Sequence, residues 1–246
     1  CMGISDYNKF DKKTCLKNAT NARKNITITY NMKEALKDAD LVIESITENL
    51  EAKRNLFLNM ANMLKKDTIV VTNSSTLLPS KMAKQTKRED RFLALHFANS
   101  IWKNNIAEVM RHDKTSDKSF DEVMKFAEEI RMIPIPVNKE KTGYVLNSML
   151  IPLLFSALDL LVNNVSDVNS IDKTWVIGTG AKEGPFQILD VIGLKTAYEI
   201  VKQYAKIPTF LAPYNFKKMT KLLKKYIDSG KLGKASGEGF YKYNLL

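Results

Sequence analysis

From Ile26 to Val137 the chain alternates short, β-branched apolar runs with amphipathic stretches, and this alternation restricts the architecture more than any other feature. ITITY (26–30), DLVIES (40–45) and the runs at 68–73, 92–98, 105–110 and 133–137 have strand length. The stretches at 31–38, from Thr47 to Lys65, at 78–86 and at 117–131 have helical periodicity. Strands that alternate with helices pack as a parallel sheet covered on both faces. The expectation is an α/β, doubly wound sheet, with 133–137 at an edge because Pro134 and Pro136 cannot donate to a neighbour on both sides. Asn31 is positioned to cap the first of these helices. Beyond Val137 the period becomes helical throughout, with helices expected at 144–162, 168–176, 186–206 and 216–227, giving an all-helical domain. The boundary falls in the polar connector NKEKTG, so the expected domains are 1–138 and 139–246. The apolar run 144–162 is interrupted by Asn147, Ser148, Pro152 and Asp159, which fits a buried or interfacial helix and not a membrane span.

Chemistry concentrates in RFLALHFANSIWKNNIAEVM (91–110). His96, one of two histidines, ends one apolar run, and Glu108 lies inside the next. Two strands that brought these side chains together would form a general acid/base unit, with the carboxylate holding one imidazole tautomer and stabilising the imidazolium. Taken alone, the same residues also describe a plain strand end with a surface glutamate. Upstream, TIVVTNSSTL (68–77) runs an apolar strand into an Asn-Ser-Ser-Thr cluster, and downstream TGYVLNSML (142–150) opens a helix with a polar residue on an apolar face.

At these places, and at Lys234–Tyr243 (KASGEGFYKY), the sequence resembles the 3-hydroxyacyl-CoA dehydrogenase family. That family shows an Asn-x-Ser-Ser-Leu-like motif, His-Phe-Phe-Asn-Pro with a glutamate twelve residues on, Gly-Phe-(Val/Ile)-x-Asn-Arg, and Lys-Thr-Gly-Glu-Gly-Phe-Tyr near the C-terminus. The ordered matches run from Ile26 to Tyr243. The resemblance implies a Rossmann-type domain, N-terminally incomplete, then a helical domain through which members form homodimers. It also implies an NAD-dependent enzyme that oxidises a 3-hydroxyacyl-CoA to the 3-oxo compound. By carry-over, the catalytic residues are His96, Glu108, Ser75 and Asn147, and the cofactor-binding residues are Glu48, Lys53, Ser75 and Asn99. In the family the matches of Glu48 and Lys53 lie beside the cofactor ribose and towards the CoA side respectively. Without the resemblance, Glu48 is a first-turn helix acid, Lys53 a solvated helix cation, Ser75 a turn or N-cap serine, and Asn147 a helix-start polar residue.

Ala98 and Ser100 replace the family's phenylalanine and proline beside the histidine. Ser148 replaces an arginine, and Ala235 stands where a lysine thought to reach the cofactor is usual. These changes leave the acid/base pair intact and alter pocket shape. A short acyl group such as 3-hydroxybutyryl is the expectation, from family commonness. Relatives that oxidise gulonate or carnitine share the His-Glu pair, and a non-catalytic remnant or binding protein of the same fold is the alternative from another class.

Composition narrows the partners. The formal charge of +11 draws anions, yet the lysines are spread over nearly every segment with no arginine-rich or aromatic-interleaved patch. A basic surface with an acyl-CoA or NAD site therefore fits better than nucleic-acid binding. Two cysteines, Cys1 and Cys15, supply neither a disulfide framework nor metal-ligand spacing, and a cytoplasmic setting is the default. The stretch 1–25 is polar, does not begin with methionine and carries no secretory or mitochondrial targeting pattern. It also lacks the Gly-x-Gly-x-x-Gly turn that cradles a dinucleotide pyrophosphate, so the chain as given is expected to bind NAD weakly and to leave one sheet edge exposed. Gly178, Gly180 and Gly184, and Gly237 and Gly239, lack that spacing and are expected in turns.

Overall fold

The computed structural model describes residues 12–99, 101–102, 104–208 and 210–244. The chain separates into two compact units, 1–146 and 147–246.

In the first unit the strands β1 (Leu41–Glu44), β2 (Ile69–Thr72), β3 (Phe92–Phe97), β4 (Ile106–Met110) and β5 (Ile133–Val137) form one sheet in sequential order. β1, β2 and β3 are mutually parallel, β4 runs antiparallel to β3, and β5 is parallel to β4. Each inner strand is apolar on both faces, as a sheet covered on both sides requires. Ile69 and Val71 of β2, Leu93 and Leu95 of β3, and Ala107 and Val109 of β4 face α4 (Asp117–Glu129), packing on Phe120, Val123 and Ala127. On the opposite face Val70 and Phe92 meet Phe57 and Met60 of α3 (Leu50–Met60) and Leu36 of α2 (Met32–Leu36). β5 is an edge strand, so Pro134 and Pro136 leave no ladder bond unmade.

Local chemistry sets the helix starts. Asn31 and Asn49 accept from Glu34 N and Ala52 N at the beginnings of α2 and α3, and Ser116 accepts from Ser119 N at the start of α4. Three expectations fail. ITITY is not a strand. Ile28 and Tyr30 are fully exposed with no partner strand among the described residues, and the Thr29 hydroxyl serves instead the turn into α2, bonding Asn31 N and Glu34. The expected helix at 78–86 is two 3₁₀ turns, Pro79–Lys81 and Ala83–Thr86. Thr86 donates to Ala83 O at 2.6 Å, and Lys87 closes the second turn in a left-handed conformation. An element not expected, α1 (Lys12–Lys24), precedes them. It buries no residue fully and leaves Leu16 exposed, so its polar sequence gave no amphipathic signal. Cys15 lies on it, while Cys1 is outside the described residues.

The second unit is helical: α5 (Leu146–Val162), α6 (Val168–Thr179), α7 (Pro185–Ile192), α8 (Leu194–Tyr204) and α9 (Phe216–Asp228) enclose a core of Leu158, Phe186, Leu189, Leu194, Met219 and Leu223. The single helix expected over 186–206 is two, because Gly193 at φ 91° turns the chain and Leu194 N bonds Leu232 O. Two buried carboxylates fasten the C-terminal segment. Asp190 accepts from Phe240 N, Tyr241 N and the Tyr243 hydroxyl, and Asp172 accepts from Phe186 N, Gln187 N and the Tyr241 hydroxyl. Gly184 and Gly239 are glycines because a β-carbon at either would collide with Asp172 or Asp190. Both lie in connections between elements, as expected, but Gly178, also expected in a turn, falls in the last turn of α6, which runs on to its left-handed cap at Gly180.

Asp190→Ala removes the buried acceptor shared by these three half-buried donors. It should destabilise the protein by about 2–4 kcal/mol in urea unfolding, with Asp190→Asn losing less.

Candidate active site

His96 and Glu108 are directly opposed across the antiparallel β3–β4 pair. The register places both side chains on one sheet face, together with Ala94 and Met110. Their alternate neighbours Leu95 and Val109 point to the α4 face. His96 Nδ1 lies 3.1 Å from Glu108 Oε2, with both side chains almost completely buried. The second oxygen of Glu108 accepts from Val145 N and Leu146 N, each at 2.9 Å. Burial pushes the Glu108 carboxyl up, but the donors on His96, Leu146 and Val145 outweigh it and hold the group below the usual carboxylate value. A carboxylate that only accepts fixes the imidazole proton on Nδ1 and leaves Nε2 with a free lone pair.

Nε2 faces the open side. There Ser75, exposed at the end of the β2 strand, brings its hydroxyl to 3.1 Å. The loop that carries it is locked by its own neighbours. Asn73 Oδ1 accepts from Phe97 N, tying the ends of β2 and β3 together. Ser74 is buried, donates to Glu48 at 2.5 Å and accepts from Leu77 N. Ser75, His96 and Glu108 therefore form one continuous hydrogen-bonded relay at the carboxyl end of β2 and β3, where open α/β sheets bind ligands.

Glu48 is the most exposed carboxylate of this cluster, with a side chain 39% accessible. Burial raises its pKa, but Ser74, the Thr76 hydroxyl and amide, and Lys53 together hold it below the ordinary value. Lys53 is not the solvated cation that its place on an amphipathic helix suggested. It is 1% exposed, with its ammonium 2.7 Å from Glu44, 3.3 Å from the Ile46 carbonyl and 3.5 Å from Glu48. With those three oxygens satisfied, it orders Glu48 from behind. Glu44 itself escaped the sequence reading. It is the buried end of β1 and also accepts from Thr72 Oγ1 and Ile46 N, each at 2.6 Å. A glutamate closing the apolar run LVIE was the available signal.

Asn99 is exposed three residues past His96, and its carbonyl accepts from the Asn104 side chain. Ala98 is buried behind it, and Ser100 lies outside the described residues. Asn147 belongs to the second unit, half-buried in the first turn of α5. Ala235 is exposed in the 3₁₀ turn Lys234–Ser236. No group of three or more histidine, cysteine or acidic residues suited to a metal occurs among the described residues.

Residues 4–141 match the family model for the 3-hydroxyacyl-CoA dehydrogenase NAD binding domain, and residues 143–243 match that for the C-terminal domain of the same family. The chain belongs to the 3-hydroxyacyl-CoA dehydrogenase family. It is 35% identical over 222 residues to a probable 3-hydroxyacyl-CoA dehydrogenase of Caenorhabditis elegans, covering 89% of this chain and 69% of that protein. It is 31% identical over 250 residues to the 3-hydroxybutyryl-CoA dehydrogenase of Clostridioides difficile, covering 99% and 86%. Among solved structures, a diketoreductase described for dual catalysis of dicarbonyl compounds is 48% identical with a TM-score of 0.85, covering 92% of this chain and 77% of that one.

Membership makes the protein an NAD-dependent oxidoreductase with a doubly wound sheet and a helical C-terminal domain. The residues at the strand ends fit that cofactor. A carboxylate held rigid by Ser74, Thr76 and Lys53 yet open to solvent suits the hydroxyls of a ribose, and the Nε2 of His96 faces the same open end. No glycine-rich strand-to-helix turn of the pyrophosphate-cradling kind lies among the described residues.

The Glu108 carboxyl, held below its unfolded value near 4.5, contributes stability that is fully present above that value and lost as pH falls through the folded one. Acid unfolding followed by circular dichroism below pH 5 should therefore be shallower in Glu108→Gln than in the parent. Coincident profiles would show that the carboxylate gains nothing from its three donors.

Proposed function

We infer that the protein oxidises the 3-hydroxyl of a short 3-hydroxyacyl-CoA to the 3-oxo compound, with His96 as the general base. The reading is carried by the unbroken relay Ser75–His96–Glu108, in which Nδ1 of the imidazole is held by the carboxylate and Nε2 is left as an acceptor, taken up here by the Ser75 hydroxyl. His96 Nε2 takes the hydroxyl proton as the carbon is oxidised. Glu108 keeps the ring in the required tautomer and stabilises the imidazolium that results. The Ser75 hydroxyl, already within hydrogen-bond reach of Nε2, turns to the reacting oxygen and steadies charge that builds there. NAD accepts the hydride when bound. Glu48, fixed by Ser74, Thr76 and Lys53, holds the cofactor ribose, and Lys53 contributes by keeping that carboxylate ionised and in place. For Asn99 near the nicotinamide and Asn147 near the reacting oxygen, the reading rests on the family resemblance.

A second substrate class has its own support. The 48% identity to the diketoreductase exceeds that to the C. elegans and C. difficile acyl-CoA dehydrogenases, and the same acid/base pair serves reduction of a dicarbonyl compound that carries no CoA. Comparing kcat/KM for acetoacetyl-CoA and for ethyl acetoacetate, a dicarbonyl ester without CoA, in the reductive direction separates the two. Preference for the thioester supports the first reading, and preference for the free dicarbonyl ester replaces it. His96→Asn should lower kcat by about 10²–10⁴-fold on whichever substrate is turned over, and near-normal turnover would remove His96 from the mechanism.

The exposed side chains of Met149, Leu160, Ile177 and Val191 in the helical unit support self-association as a homodimer. Light scattering at micromolar concentration should give twice the chain mass; a monomer would refute it. No described helix is long and apolar enough to cross a membrane.

A further inference from the structure

Tyr144 stands where the family motif has phenylalanine, and three features set it apart from a residue that merely fills space. It is among the largest fully buried side chains, at 1% exposure. Its ring lies nearly parallel to the imidazole of His96, centroids 4.6 Å apart and planes 20° from one another. Its hydroxyl donates to the Ser74 carbonyl at 2.6 Å, the peptide unit that leads directly into Ser75. A phenylalanine would supply the same apolar volume, so the hydroxyl is spent on one particular loop atom. The backbone adds a fourth feature. Tyr144 adopts φ 53°, in the left-handed region that a β-carbon disfavours, directly after Gly143 at φ 82°. That turn delivers the next two amides, of Val145 and Leu146, to Glu108.

We propose that Tyr144 is a positioning residue for the acid/base relay, its ring fixing the plane of the His96 imidazole and its hydroxyl fixing the Ser74–Ser75 loop against that plane. The proposal rests on the reading of His96 as the base, but one arm of its test needs no turnover. The aromatic face stabilises the imidazolium by a cation–π contact. The titratable groups that meet His96 directly are Glu108 from β4 and Tyr144 itself, with Ser75 at Nε2. Glu48 and Glu140 act on Tyr144 at longer range.

This chain contains two histidines, so ¹⁵N-imidazole resonances can be followed against pH and assigned with His112→Gln. Tyr144→Leu removes the ring face while keeping the site apolar. It should move the His96 midpoint to lower pH by roughly 0.4–1.5 units, the range from an exposed to a buried cation–π contact. Tyr144→Met carries the same arm should the leucine variant fail to fold. Tyr144→Phe keeps the stack and the midpoint. It loses the Ser74 anchor and should lower kcat/KM by about tenfold, the worth of one buried hydrogen bond. An unmoved His96 midpoint in the leucine and methionine variants, or parental kcat/KM in Tyr144→Phe, overturns the proposal. A parent protein that turns over neither substrate class refutes the proposed function instead, and the titration alone then decides the role of Tyr144.

Discussion

The carboxylate of Glu108 is the fixed point of the first unit's candidate site. It is buried, so it must be satisfied, and it is satisfied from three directions: His96 on the neighbouring strand and the amides of Val145 and Leu146 at the entrance to the helical segment. Each donor stabilises the ion, and the ion in turn dictates where each donor sits. The imidazole tautomer, the left-handed turn at Tyr144 and the first residue of α5 are thus set by one charge. A glutamine of the same shape could still accept both amide hydrogens through its carbonyl oxygen, but its NH2 group would then face the imidazole, where an acceptor is needed to hold the proton on Nδ1.

A second buried carboxylate plays a similar part behind Glu48. Glu44 and Lys53 neutralise each other at the end of β1, and Lys53 then reaches on to Glu48. A buried ion pair of this kind contributes little net stability, because desolvation of both ions offsets their attraction. Its value here is geometric. It converts a mobile lysine on α3 into a fixed charge behind an otherwise solvent-facing glutamate, while Ser74 ties that glutamate to the loop bearing Ser75. The two carboxylate systems meet in the Asn73-Ser74-Ser75 segment, where Asn73 bonds β3, Ser74 bonds Glu48, and Ser75 bonds His96.

The helical unit relies on the same device for a different end. Asp172 and Asp190 gather the backbone and tyrosine hydroxyls of the C-terminal segment against α6 and α7. Those contacts explain why the Gly-Glu-Gly-Phe-Tyr segment carries its glycines. One of them must pass close to Asp190, and the other closes a turn at φ 81°. A motif that served in the sequence as a mark of kinship is, physically, the seam that closes this unit.

Period-two and helical patterning determined the five strands, the edge position of the Pro134–Pro136 strand and the change to an all-helical C-terminal part, because burial on both faces of a sheet leaves its imprint residue by residue. Spacing also offered His96 and Glu108 as a pair, since a short link between two apolar runs can bring neighbouring strands together, and the flanking motifs favoured that reading over a plain strand end. Pattern could not decide what depends on a partner far along the chain. ITITY has strand composition but no strand beside it among the described residues, and the 186–206 helix breaks where Gly193 lets Leu194 bond Leu232. Lys53 looks solvated on its helix until Glu44 arrives from β1 to bury it, and Tyr144 is one more apolar position until the fold lays it on His96. The sequence by itself determined which residues were candidates for chemistry, through the order and spacing of motifs that resemble a known family. Only the tertiary structure decided which of them share charge and hydrogen bonds, because those energies depend on distances that chain separation does not encode.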